Sequence, residues 1–224
     1  MRIPTSLALL AISLSATTRL TAQSTDSMRM GHHDHPVAGG GVLPAGWSAR
    51  PDGTGEITNV KFVVMEPGYH LTLGPATILY RKDDLANGPF HATVTIHQMK
   101  KLEHPEGYGI LFGGKALSEQ GQQYTYFLVR DDGTYLLKRR EGDKTSEITK
   151  GWTPHPAIKK AGPEGKTSNL LEVDAKKDPR KVDFKVNGQT VYTTDAGTMD
   201  LKGIVGLRVN HNLDVHIQDF AVHR

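Results

Sequence analysis

From residue 42 onward the chain consists of short runs in which apolar and polar residues alternate, and nearly every run stops at Gly, Pro, Asn or Asp. This texture is the strongest constraint on the fold. A period of two puts successive side chains on opposite faces of an extended backbone, whereas an amphipathic helix needs a period near 3.6. The alternation predicts strands at 60–64, 70–73, 77–81, 90–98, 108–112, 124–130, 134–140, 169–173, 182–186, 190–193, 203–209 and 214–222. Asp131-Asp132-Gly133, Asp178-Pro179 and Asn187-Gly188 mark turns between them. Asn187-Gly188 is the residue choice of a two-residue hairpin loop, which needs positive φ at both central positions. No long segment carries helical periodicity; 157–161 is compatible with a single turn before Gly162-Pro163. Many short strands without helices or an internal repeat predict an all-β fold, an antiparallel β-sandwich or barrel.

The N-terminus reads differently. Arg2 precedes a short apolar stretch at 7–14, and Leu20-Thr21-Ala22 offers a cleavage point, the pattern of a secretory signal peptide over residues 1–22. Export to the periplasm or beyond, after cleavage near Ala22, is the expectation. The apolar stretch is too short to cross a bilayer and no second one follows, so no membrane span is expected. Residues 23–41 are polar and Gly-rich and read as a flexible tail, with the sandwich domain over 42–224. There is no cysteine, so core burial has to hold the domain together without disulfides. Removing Arg2 and Arg19 from the 27 basic residues leaves 25 against 24 acidic ones, a balance of +1. That balance supplies no electrostatic footprint for nucleic acid.

Three stretches resemble the concanavalin A-like, or laminin-G-like, jelly roll. They are Tyr108–Gly114 with Tyr124–Arg130, then 169–173 with 182–188, and finally 203–209 with 215–222 as a closing pair of strands. Within that superfamily the chain is most similar to the bacterial 3-keto-disaccharide hydrolase family, over about residues 45–224. The resemblance implies a sandwich that contacts carbohydrate, either as a non-catalytic glycan-binding module or as a hydrolase or lyase acting on 3-keto-glycosides. The family's strand with Glu in a Tyr-Glu-x-Gln pattern is matched here by Tyr124–Arg130, which has no acid until Asp131. Its closing His is matched approximately by His211, the candidate catalytic residue. The missing carboxylate favours the non-catalytic module.

Candidate ligand-binding residues follow from the strand pattern. Alternation places Tyr124, Tyr126, Leu128 and Arg130 on one face and Thr125, Phe127 and Val129 on the other, the second being the better core face. Aromatic rings stack on sugar C–H faces, while guanidinium groups give fixed, planar hydrogen bonds to hydroxyls. Arg139, if it neighbours Tyr126 across the hairpin, would extend a polar groove. Trp152, in a loop-like setting, suits either a sugar platform or a loop anchor. Arg208, Asn210, His211 and Asp214 cluster near the final turn and would lie at the rim of a groove. Phe220 and Val222 fall out of phase with Val215 and Ile217, which predicts a bulge near Gln218-Asp219. In the tail, His32, His33 and His35 with Asp34 form a candidate metal cluster. A divalent metal, calcium or a transition ion, is the candidate cofactor. Asp83-Asp84, Asp131-Asp132 and Asp195 with Asp200 are the loop oxygen donors to be checked for calcium.

Overall fold

The computed structural model describes Met1 and residues 34–224. The signal-peptide segment, tail residues 23–33, and His32 and His33 with them, lie outside the described residues. Fifteen strands are present in that part: β1 (Trp47–Pro51), β2 (Val60–Val64), β3 (Tyr69–Leu73), β4 (Thr77–Asn87), β5 (His91–Gln98), β6 (Tyr108–Lys115), β7 (Gln123–Val129), β8 (Thr134–Glu141), β9 (Lys144–Glu147), β10 (Thr153–Pro154), β11 (Thr167–Asp174), β12 (Lys181–Val186), β13 (Gln189–Asp195), β14 (Lys202–Val209) and β15 (Asp214–His223). Two single-turn 3-10 helices, Ile57–Asn59 and Ala196–Thr198, complete the described elements.

The strands form two antiparallel sheets. The first runs β1-β4-β14-β6-β7-β8-β10, with β9 paired to β8; the second runs β13-β12-β11-β5-β15-β3-β2. Their facing residues make one continuous core. Leu79, Tyr108, Ile110, Phe112, Phe127, Val129, Leu137 and Leu207 from the first sheet meet Phe62, Leu71, Val94, Ile96, Leu171, Phe184, Val215 and Ile217 from the second. Each fully buried large apolar side chain contributes roughly 1.5–3 kcal/mol, the term that must stand in for absent disulfides.

The expected sandwich is therefore present, and the expected strands are found with ends shifted by a few residues. Three strands lacked a readable pattern. The β1 sequence carries Ser48, Arg50 and Pro51 and lies at a sheet edge, while β9 and β10 are short and mostly exposed. The segment 157–161 forms no helix. Asn187 and Gly188 both adopt positive φ, 50° and 78°, as the hairpin between β12 and β13 requires. The predicted bulge in β15 is also there: its pairing with β5 shifts between Gln218 and Ala221, and Asp219 has a φ of 53°. Residues 34–41, placed in the tail on composition, make backbone contacts with the sandwich. Gly41 N donates to Val60 O, and Val37 N donates to Asn59 Oδ1.

Candidate functional site

The outer face of the first sheet carries a second, smaller cluster of Ile78, Tyr80, Leu111, Leu117, Tyr124, Tyr126 and Leu128, with Trp152 and Ile204 packed against it. Alternation assigns β7 correctly, since Phe127 and Val129 enter the main core. The other face is not an open platform, however. Tyr124 and Tyr126 are only 2% and 5% exposed.

What closes over them is a polar arrangement assembled from four distant segments. The Asp52 carboxylate, on the turn after β1, accepts through Oδ2 from Arg208 Nη2 at 2.7 Å and from Arg140 Nη1 at 3.0 Å. Arg208 Nη1 donates to the Tyr124 hydroxyl at 2.9 Å, and its guanidinium carbon sits 5.1 Å from the Tyr126 ring centroid. Burial pushes the Asp52 carboxyl up, but Arg208, Arg140 and Arg50 outweigh it and hold the group below its usual range. Burial alone would push Arg208 down; the neighbouring Tyr124 and Asp52 oxygens reverse this and hold the guanidinium above its ordinary value. Both tyrosine hydroxyls are pushed up by burial, with Arg208 opposing. Arg50 Nη1, Arg208 Nε, Asp52 Oδ1 and both side-chain polar atoms of Gln122 are buried without a hydrogen-bond partner among the described residues. Groups of this kind cost free energy unless something satisfies them.

Next to this arrangement lies a cavity of about 400 Å³, with Tyr124, Arg139, Arg140, Glu141, Thr198 and Asp200 in its wall. The pairing of β7 with β8 explains who reaches it. Tyr124 lies opposite Arg140, Thr125 opposite Arg139 and Tyr126 opposite Lys138. Arg139 is thus not beside Tyr126, as the sequence suggested, because the register offsets them by one residue and onto opposite faces. Arg139 instead donates from Nη2 to Thr198 O at 2.8 Å. Asp200 pairs with Lys115, and Arg140 Nε donates to Gly142 O at 2.9 Å. Arg139 and Arg140, successive on β8, thus send their guanidinium groups to opposite faces of the sheet, the first to Thr198 and the second to Asp52 and Gly142.

The other sequence candidates fall elsewhere. Arg130 stacks over the Trp152 ring at 4.0 Å and pairs with Asp132 at 2.6 Å. Trp152 covers Gly107 so closely that a Cβ there would come within 2.7 Å of the indole, which makes it a loop anchor on the sheet. Asn210 donates its backbone N–H to Gly107 O. His211 Nδ1 meets Asp34 Oδ1 at 2.6 Å, and His35 N donates to Asn212 Oδ1 at 2.8 Å, so the last turn contacts the segment before β1. Asp214 approaches His70 Nε2 at 3.1 Å. Of the ligand-binding set, the fold brings together Tyr124, Tyr126 and Arg208, with Trp152 packed against their cluster; it puts Arg139 on the opposite face of the sheet, and places Arg130, Asn210, His211 and Asp214 elsewhere.

As the side chains stand, no group of three or more His, Asp or Glu residues among those described forms a metal site. Asp83 and Asp84 lie within β4 and not in a loop, and Asp84 holds Arg81; of the others, Asp131 accepts from Gln98, Asp132 holds Arg130 and Asp195 caps the turn at Gly197. Among the described residues no helix is long and apolar enough to cross a membrane. Asp52, Arg140 and Gln122 carry no signal of a site in the sequence. Asp52 sits in a Pro-Asp-Gly stretch that reads only as a turn, and nothing local reveals a partner 156 residues away.

No family model matches the chain, and no curated protein matches it in sequence. Solved structures do match in shape. A carbohydrate binding module, CBM66, from Bacillus subtilis aligns at a TM-score of 0.59 with 12% identity, over 85% of this chain and 100% of that one. A Bacillus subtilis protein of unknown function with a galectin-like fold aligns at 0.54 with 12% identity, over 79% and 88% of the two chains. The carbohydrate recognition domain of Emp46p aligns at 0.51 with 11% identity, over 80% and 88%. At these identities the likeness establishes the fold: the chain is a β-sandwich of the galectin-like, jelly-roll type.

Proposed function

We propose that the domain is a non-catalytic glycan-binding module that works after export, and that its binding site is the cavity beside Tyr124 and Arg140. The observation that carries this reading is the cavity wall itself. Arg139, Arg140, Glu141 and Thr198, whose side chains carry guanidinium, carboxylate and hydroxyl groups, are among the residues that line a space large enough for one or two sugar rings. Behind it, Asp52 and Arg208 hold Arg140 and Tyr124 in place, so little ordering entropy is lost when a ligand binds. Two of the shape-matched structures are named for carbohydrate binding or recognition, which supports the same reading by analogy.

Titration calorimetry over a panel of neutral and acidic saccharides tests it. Loss of one charge-assisted hydrogen bond costs about 1.5–3 kcal/mol, so Arg139→Ala and Glu141→Gln should each weaken binding by roughly ten- to a hundredfold without changing the fold. A flat panel would overturn the assignment, and so would binding indifferent to both substitutions.

A second reading has one observation in its favour. The 2.6 Å contact of Asp34 with His211 Nδ1 orients the ring, as a carboxylate does for an imidazole base. On this reading the protein cleaves 3-keto-glycosides, and turnover of a 3-keto-disaccharide would vanish in His211→Ala while calorimetric binding at the Tyr124 cavity persists.

A further inference from the structure

The outer face of the second sheet carries an array of imidazoles that the glycan site does not use. His70 on β3 lies directly opposite His216 on β15, and His216 lies directly opposite His97 on β5. The three rings form a row across three adjacent strands, with centroids 6.4 Å and 6.0 Å apart. Asp214, two residues before His216 and so on the same face, stands at 3.1 Å from His70 Nε2. Thus one patch gathers three imidazoles and a carboxylate, in a chain with 11 histidines in 224 residues.

We propose that this row is a binding site for a divalent transition-metal ion of the zinc class, taking His70, His216 and His97 as ligands with Asp214 as the fourth. Donor chemistry selects that class, because neutral imidazole with one carboxylate suits zinc, copper or nickel and not calcium. Directly opposed residues in an antiparallel pair have Cβ atoms about 4.5–5.5 Å apart, a span that two imidazoles bridge to a shared ion at about 2.0–2.1 Å. In the structure the ring nitrogens have protein partners: His97 Nε2 meets Gln218 Oε1 at 3.1 Å, and His216 Nε2 meets Pro67 O at 3.3 Å. Both are single contacts on partly exposed rings, and rotation about χ1 and χ2 releases them at small cost. Among the described residues His70 Nδ1 is buried without a hydrogen-bond partner, while its Nε2 stands beside Asp214 Oδ1. A bound ion would recruit these atoms. The rigid backbone register supplies the spacing, so only side chains move.

Calorimetry with Zn²⁺ and with Ni²⁺ on the full chain tests the site, with His32, His33 and His35 changed together to Ala as the companion variant. The proposal expects one ion bound per chain, affinity unaffected in that triple variant, and loss in His216→Ala, the central ligand. Removing an outer-shell partner of a metal already weakens affinity by roughly 10–100-fold, so removing this ligand should do at least as much. His97→Ala and His70→Ala should weaken it too, with the sandwich intact by circular dichroism. Absence of binding below millimolar concentrations would overturn the proposal. Binding abolished by the triple tail variant and unchanged in His216→Ala would do the same.

Discussion

Replacing Asp52 by Asn probes the polar arrangement behind the cavity. The substitution keeps shape and one acceptor while deleting the charge that two guanidinium groups share. The Asp52 side chain is 17% exposed, Arg208 9% and Arg140 13%, so water can screen the loss only slightly. Removing one partner of a buried pair costs about 3–5 kcal/mol, because the other charge is left uncompensated. The retained Asn oxygen and partial exposure put this case at the lower end, about 3 kcal/mol. For a domain of this size each kcal/mol moves Tm by about 2–4 °C, so the melting temperature should fall by about 6–12 °C. The folded-state carboxyl lies below its ordinary value, so its contribution is fully present above the unfolded pKa of about 3.9 and is lost as pH falls through the folded pKa. Urea unfolding at pH 7 should therefore show the full difference from wild type, and the gap should narrow only in strong acid. Adding Arg208→Gln removes the stranded charge, and the double variant should be more stable than the sum of the single changes implies, by about 1–3 kcal/mol. An Asp52→Asn protein within 0.5 kcal/mol of wild type at pH 7, or a strictly additive cycle, would refute the reasoning.

Two further substitutions test other buried polar contacts. Asn169 is fully buried, donating to the Tyr108 hydroxyl at 3.2 Å and accepting from Lys159 N and Asn187 Nδ2 at 2.9 Å and 2.8 Å; Asn169→Ala should cost about 2–4 kcal/mol in urea unfolding, because several partners lose their bond together. Tyr124→Phe deletes the acceptor of Arg208 Nη1 and should cost about 1–2 kcal/mol, with the guanidinium still held by Asp52.

The period-two pattern of the sequence determined the architecture. It placed Phe127 and Val129 in the core, the Asn187-Gly188 hairpin between β12 and β13, and the bulge near Asp219, because each depends on residues within one strand or turn. Alternation says which side chains share a face. It does not say what covers that face or which strand lies alongside. Strand order and register therefore decided the rest. They buried Tyr124 and Tyr126 beneath an arginine from β14 and an aspartate from the turn after β1, and they moved Arg139 away from Tyr126. The same register set His70, His216 and His97 in one row, although 27 residues separate the first from the last in sequence and 146 separate the first from the middle one. Pairings of such long range leave no local trace, since the hydrogen bonds that fix them join backbone groups, which every sequence carries alike.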